Sequence, residues 1–240
     1  MSTTQAAAAP SDVWFVTGAS SGFGRAIVEA LIDDGRRVVA TARRPETLAD
    51  LAARAPDRVL TLALDVTRPE QLEAALAAAT ARFGGVDVLV NNAGFSIIGA
   101  LEETDDQALE ETMSLMFFAA ARATRAVLPG MRARGRGTIV QLTSMGGLTT
   151  APGFGAYCAA KHALEGLSEC LAAEVAPHGI RVLIVEPGAF RTALFGGAFR
   201  RMPENAAYAT TSGGVRAWVS EADGKQPGDP AKAARAIVET

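Results

Sequence analysis

The sequence predicts an α/β fold: a doubly wound parallel sheet of about six strands, ordered 3-2-1-4-5-6, with helices on both faces. Three observations carry this. Short runs rich in Val, Ile and Leu alternate with helical stretches along most of the chain. The runs lack polar alternation, as strands do when both faces of a parallel sheet are covered by helices. The first run ends in a glycine-rich turn that opens a helical pattern, the unit from which doubly wound sheets are assembled and at whose strand C-termini ligands bind.

Each element follows from its own pattern. Residues 13–17 form a short apolar strand, and a helical pattern occupies 24–34. The alternation repeats as strand 37–42, helix 47–54, strand 59–64, helix 70–83 and strand 86–91. After Ala93-Gly94 comes one long helix over 105–131, then strand 137–142, a second long helix over 157–176 and strand 180–185. Residues 188–227 break the rhythm with many glycines and scattered aromatics. A loop this long inside a compact domain is usually functional, so the segment reads as a substrate lid. A last helical segment starts at Ala231. Neither a linker nor a second core interrupts the pattern, so residues 12–240 read as one domain and the Ala/Thr-rich residues 1–11 as a flexible tail.

Composition excludes several function classes. Of 240 residues, 49% are hydrophobic and 20% charged, which suits a folded domain and not a disordered chain. A net charge of −3 leaves no basic footprint for nucleic acid, and no cationic block suits a membrane surface. No apolar run reaches transmembrane length, and the first residues lack the charged start and apolar core of a secretory signal. Cys158 and Cys170 stand alone in helical pattern, which predicts reduced thiols and a cytoplasmic protein. His162 reads as helix packing and His178 as a helix C-terminal residue beside Gly179; neither has metal-ligand spacing, and no metal is expected.

The chemistry concentrates in three places. Tyr157 and Lys161 lie four residues apart in Tyr157-Cys158-Ala159-Ala160-Lys161, and Ser144 lies thirteen residues upstream. On a helix, positions i and i+4 share a face, so an ammonium can sit beside the phenol and draw its pKa down toward the range of acid–base catalysis. The turn Thr17-Gly18-Ala19-Ser20-Ser21-Gly22-Phe23-Gly24 lies between the first strand and the first helix. Glycines there let backbone approach a pyrophosphate, which the helix N-terminus also attracts. Three residues separate its first two glycines, unlike the G-x-G-x-x-G fingerprint. Third comes Asn91-Asn92-Ala93-Gly94, directly after a strand.

Taken together and in this order, these motifs strongly resemble the short-chain dehydrogenase/reductase family, over about residues 13–192. The resemblance implies a Rossmann-type fold and a nicotinamide cofactor. It implies pyrophosphate contacts at Gly18, Gly22 and Gly24, with Ser20, Ser21 and Phe23 in the same turn. Asp65 and Val66 would flank the adenine, while Asn92, Ala93 and Gly94 would line the floor near the nicotinamide. Pro187, Gly188 and Thr192 resemble the carboxamide contacts. Tyr157 would be the acid/base, Lys161 would lower its pKa and bind the nicotinamide ribose, and Ser144 would hydrogen-bond the substrate oxygen. The two long helices are surfaces by which the family pairs subunits, which implies a homodimer or homotetramer; Leu164, Leu167 and Leu171 could serve core or interface.

Cofactor choice follows from charge. An NAD site usually ends its second strand with an acid that accepts the ribose hydroxyls. This chain has Thr41-Ala42-Arg43-Arg44 there, and a guanidinium pairs well with a 2′-phosphate. NADP(H) is therefore preferred to NAD(H), with Arg43 favoured over Arg44. Two positions depart from the family. Where an asparagine usually anchors a relay water behind the lysine, this chain has Met116 or, one residue off, Phe117, so proton resupply to Lys161 is in question and slower turnover is expected. Members also commonly continue into a seventh strand, whereas the sequence stops at Thr240, leaving an expected sheet edge.

Phe95, Met145 and Phe154 lie beside these motifs as candidate pocket wall. Phe190, Leu194, Phe195, Phe199, Met202, Tyr208 and Trp218 are candidates from the lid, with Phe190 and Phe195 placed in the substrate site. Apolar residues on both sides suggest a hydrophobic ketone, aldehyde or secondary alcohol. Arg200 and Arg201 read as a solvated surface pair. The leading function is an NADP(H)-dependent oxidoreductase; the alternative is a catalytically impaired nucleotide-binding regulatory or scaffold protein of the same fold.

Overall fold

The computed structural model describes residues 12–197 and 199–240; the segment read as a tail, 1–11, lies outside them. Six strands form one parallel sheet: β1 (Val13–Val16), β2 (Arg37–Ala42), β3 (Val59–Ala63), β4 (Val88–Asn91), β6 (Gly137–Leu142) and β7 (Ile180–Val185). Their order is β3-β2-β1-β4-β6-β7. Setting aside the short extra strand β5 (Ser96–Ile98), this is the expected 3-2-1-4-5-6. The chain reverses direction across the sheet between β1 and β4, and the glycine turn sits at that switch point, where open α/β sheets bind ligands.

The apolar strands bury both faces. On one side α1 (Gly22–Asp33), α2 (Ala49–Arg54) and α8 (Pro230–Val238) pack over Trp14, Val16, Val38 and Val90. On the other, α3 (Pro69–Phe83), α5 (Ala119–Arg134) and α6 (Gly155–Val175) cover Phe15, Val39, Leu89 and Ile139. Side chains alternate between the faces along a strand, so consecutive residues of β1 supply the two cores in turn.

Two expectations need correction. The long helix over 105–131 is interrupted: α4 (Asp106–Met113) passes through a π-helical turn at Ser114–Phe118 into α5, with the Ala119 N–H bonded to the Ser114 carbonyl. The wider turn inserts a residue into the helical register, a feature frequent at functional sites. Here it leaves Met116 buried and Phe118 exposed. Pro129 does not end α5, which continues to Arg134. Second, residues 188–227 are more than loop. They hold β8 (Phe199–Arg201), paired in parallel with β5, and α7 (Ser212–Ala222). Among the described residues β7 pairs only with β6, so it forms the expected sheet edge.

Candidate active site

The glycine turn is shaped by contacts that leave no room for a side chain at Gly18 or Gly24. Gly18 and Gly22 have φ of +67° and +54°, values L-residues avoid. A Cβ at Gly24 would lie 2.4 Å from both Asn92 Nδ2 and the Gly18 carbonyl. Asn92 Nδ2 donates to the carbonyls of Thr17 (2.8 Å) and Gly18 (3.1 Å). The Thr17 hydroxyl accepts from the backbone N–H of Asn92 (2.9 Å) and Ala93 (3.1 Å) and donates to Val90 O (3.1 Å). Thus Asn92-Ala93-Gly94 and the glycine turn are one hydrogen-bonded unit. This organising role of Thr17 was not assigned from the sequence, although Thr17 stands in the quoted turn. Flat backbone, a helix N-terminus and the absence of side chains fit a pyrophosphate.

Arg43 and Arg44 directly follow β2 and are exposed. The Asp65 carboxylate accepts from the Thr67 N–H (2.9 Å) and hydroxyl (2.6 Å). Burial alone would raise its pKa, but these bonds and the charges of Arg43 and Arg68 hold it below the usual carboxylate value. Val66 is buried beside it. Across the turn, Thr192 approaches Gly22, and Phe190 packs edge-on against Phe23 with ring centroids 4.9 Å apart. Phe190, expected in the substrate pocket, instead packs against Phe23 of the glycine turn, where Gly228 provides a surface free of side chain for its ring. The Met145 N–H bonds the Pro187 carbonyl (3.0 Å), joining the Pro187-Gly188 segment to the end of β6.

Ser144, Tyr157 and Lys161 do come together. Ser144 caps a short 3₁₀ turn at Met145–Gly147, its Oγ accepting from Gly146 N at 3.0 Å. Gly146 and Gly147 lie flat on α6: Cβ atoms there would stand 3.0 Å from the Tyr157 ring and 2.9 Å from the Glu165 side chain. Lys161 is buried, and its Nζ donates to Leu142 O at 2.7 Å and lies 5.9 Å from the Tyr157 ring centroid. Burial lowers its pKa from 10.5 to about 8, against the attraction of Glu165. Tyr157 departs from expectation. Burial pushes its phenol above the usual value, only partly countered by the Ser144 hydrogen bond. The sequence predicts a lower value, through Lys161; in the structure desolvation of the phenol dominates.

Beyond Tyr157 an aromatic chain runs into segment 188–227. Tyr157 meets Phe154, Phe154 meets Phe199, Phe199 meets Phe195 and Phe195 meets Trp218, all edge-on at centroid distances of 5.6–6.3 Å. Met145 is exposed. Arg200 is not simply solvated: it stacks on Phe95 (5.0 Å) and pairs with Glu111 (2.7 Å). Arg201 stacks on Phe199 (4.9 Å). Segment 188–227 is fastened by Glu103, which accepts from Ala100 N, Asn205 N and Arg216 Nη2, each at 2.7 Å. Nothing in the local sequence pattern singled out Glu103 or Arg216, because their partners are about a hundred residues apart.

The remaining expectations are peripheral. His162 is exposed rather than packed, with Nδ1 2.9 Å from Cys158 O. His178 ends a 3₁₀ turn before Gly179. Among the described residues there is no cluster of metal-ligating side chains, and no helix is long and apolar enough to cross a membrane.

Comparison with known proteins agrees with this architecture. The short chain dehydrogenase family model matches residues 12–203. The chain is 36% identical over 227 residues to Oxidoreductase BOA17 of Botryotinia fuckeliana, covering 94% of this chain and 83% of that protein. It superposes on the crystal structure of a short-chain dehydrogenase from Streptomyces avermitilis with a TM-score of 0.89 at 55% identity, covering 95% and 85% of the two chains. A 3-ketoacyl-(acyl-carrier-protein) reductase from Brucella melitensis complexed with NADH gives 0.80 at 26% identity, covering 96% and 90%. The chain belongs to the short-chain dehydrogenase/reductase family.

Proposed function

We propose that the protein is an NADP(H)-dependent oxidoreductase acting on a hydrophobic ketone, aldehyde or secondary alcohol, with Tyr157 as acid/base. The observation that carries this is the convergence of Ser144, Tyr157 and a buried Lys161 at the strand ends, with a glycine turn that has no room for a Cβ at Gly18 or Gly24 at the same sheet edge. When bound, the nicotinamide supplies or accepts the hydride. Ser144 and Tyr157 hold the reacting oxygen, and Tyr157 gives it a proton in reduction or takes one in oxidation. A protonated phenol is the form that can give its proton in reduction, and burial keeps Tyr157 in that form. Lys161 supplies the positive charge that stabilises the phenolate once the proton has left.

Arg43, exposed directly after β2 where the strand end itself carries no acid, supports NADP(H). The relative complexed with NADH keeps NAD(H) as the comparison cofactor. The aromatic chain from Phe154 to Trp218 supports an apolar substrate, with residues 188–227 as its lid. A cytoplasmic homodimer or homotetramer is consistent with the family's habit of pairing through its long helices.

The test is NADPH oxidation against a panel of hydrophobic ketones, comparing wild type with Tyr157→Phe. Turnover should fall by on the order of a hundredfold or more when the proton donor is removed. Equal rates would refute the reading. One observation favours a second reading, a nucleotide-binding protein with impaired catalysis: Met116, buried behind Lys161, offers no side-chain amide. Tight NADPH binding with no turnover on any carbonyl would select it.

A further inference from the structure

Pairing with β5 sets the side chains of β8 on alternate faces, so Phe199 and Arg201 share one face and Arg200 takes the other. The two adjacent arginines are placed differently. Arg200 lies over the Phe95 ring at 5.0 Å, and its charge is matched by Glu111 at 2.7 Å. Arg201 lies over the Phe199 ring at 4.9 Å and, among the described residues, makes no ion pair and no side-chain hydrogen bond. Stacking uses the flat face of a guanidinium and leaves the N–H groups at its edge free, in the fork that fits a carboxylate. The backbone beneath it is held in place. Arg201 pairs with Ile98, the next N–H, that of Met202, bonds the Ile98 carbonyl at 2.9 Å, and the Met202 carbonyl accepts from Arg216 Nη1 at 3.0 Å.

The face that carries Arg201 leads back to Tyr157. Phe199 meets Phe154 at a centroid distance of 6.3 Å, and Phe154 meets Tyr157 at 6.1 Å. Two apolar rings therefore connect the phenol with a single unmatched positive charge. We propose that Arg201 anchors a negatively charged group of the substrate, and that the substrate class is an oxo- or hydroxy-carboxylate whose reacting carbon and acid are separated by an apolar chain lying along Phe154 and Phe199. The inference rests on the reading of Tyr157 as acid/base, which decides the end of the chain that reacts. One unmatched arginine suits one negative charge; a doubly charged phosphate would be only half matched. The carboxylate takes no part in the reaction, so Arg201 is a specificity-determining residue. A chain of about ten carbons, at about 1.5 Å per bond, is long enough to pass both rings.

The deciding experiment is calorimetric titration of the protein, with NADP⁺ present so that nothing is reduced, using a straight-chain methyl ketone of about ten carbons that ends in a carboxylate. The methyl ester of the same compound is titrated alongside. The acid should bind about tenfold more tightly than the ester, as expected of one charge-assisted contact at a solvated site, and high salt should narrow the ratio. In Arg201→Gln the ratio should fall to about one. Arg201→Lys, which keeps the charge and loses the fork, should retain part of it, and Arg200→Gln should retain all of it. Equal binding of acid and ester by wild type, binding of neither, or a preference that survives Arg201→Gln overturns the proposal. The catalytic reading fails separately, through equal rates of NADPH oxidation by wild type and Tyr157→Phe on the neutral ester, a result that leaves the binding ratio untouched.

Discussion

Replacing Lys161 by methionine should change thermal stability in a pH-dependent way whose size is set by burial. Lys161 is 6% exposed and its pKa is about 8, below the 10.5 of an exposed lysine, because burial disfavours the ammonium more than Glu165 favours it. Between these values the unfolded chain binds a proton that the folded chain does not, so this group's contribution to stability rises with pH. Below pH 8 both states are protonated and the folded protein bears the whole desolvation penalty, about 3 kcal/mol. By pH 9 it has fallen to about 2 kcal/mol, and near pH 10.5 it has almost vanished. Lys161→Met removes it at every pH, along with the hydrogen bond to Leu142 O, whose loss is a pH-independent offset. The difference in melting temperature between variant and wild type, both without cofactor, should therefore be more favourable to the variant at pH 7 than at pH 9. The gap is about 1.3 kcal/mol, or roughly 3–5 °C for a domain of this size. Differential scanning fluorimetry at the two pH values reads it directly. An identical difference at both would mean that Lys161 titrates at an ordinary value and is not the desolvated cation described above.

Other outcomes follow from the same geometry. Arg43→Ala should weaken NADPH by about 10–100-fold while leaving NADH within about twofold, as expected for loss of a charge-assisted contact to a 2′-phosphate; equal losses in fluorescence titrations would sink the cofactor assignment. Gly24→Ala drives a Cβ into Asn92 Nδ2 and the Gly18 carbonyl at 2.4 Å. Both are fixed, so the variant should lose about 1–3 kcal/mol of stability and weaken either cofactor at least tenfold; a variant with unchanged binding would show that the turn is not the pyrophosphate cradle. Glu103→Gln leaves the Arg216 charge unpaired where the two side chains are 7% and 2% exposed. It should cost about 3 kcal/mol, the lower end for breaking a buried pair, and expose the bonds after Arg200 and Arg201 to trypsin. A melting point within about 1 °C of wild type would refute that fastening. Met116→Asn should leave turnover unchanged or raise it, and a large fall in kcat would give Met116 a role of its own.

The sheet and the motif residues that it brings together were legible in the sequence because both are local signals. β2, β6 and β7 have the limits that their apolar runs indicate, and the glycine turn, Asn92 and the Ser144, Tyr157 and Lys161 trio each carry their message within a few residues. Phe190 was misplaced for the opposite reason. Its position depends on Gly228, 38 residues later in the chain, pairing with it and providing a flat surface. No periodicity in either segment encodes that contact.

The interruption of the long helix shows most clearly where local reading ends. Residues 105–131 carry a continuous helical pattern, and a π turn keeps the same residue types while shifting their faces, so composition cannot distinguish it from uninterrupted helix. Its consequence is specific: Met116 turns inward to wall a cavity beside Lys161, while Phe118 remains 53% exposed. From the sequence alone, Met116 was a missing amide. In the fold it is one apolar side of a cavity whose opposite polar side, Asn91, belongs to a motif read only as cofactor floor. The surroundings of Lys161 are thus shared between a strand and a helix whose facing residues lie 25 apart, and only the sheet order brings them together.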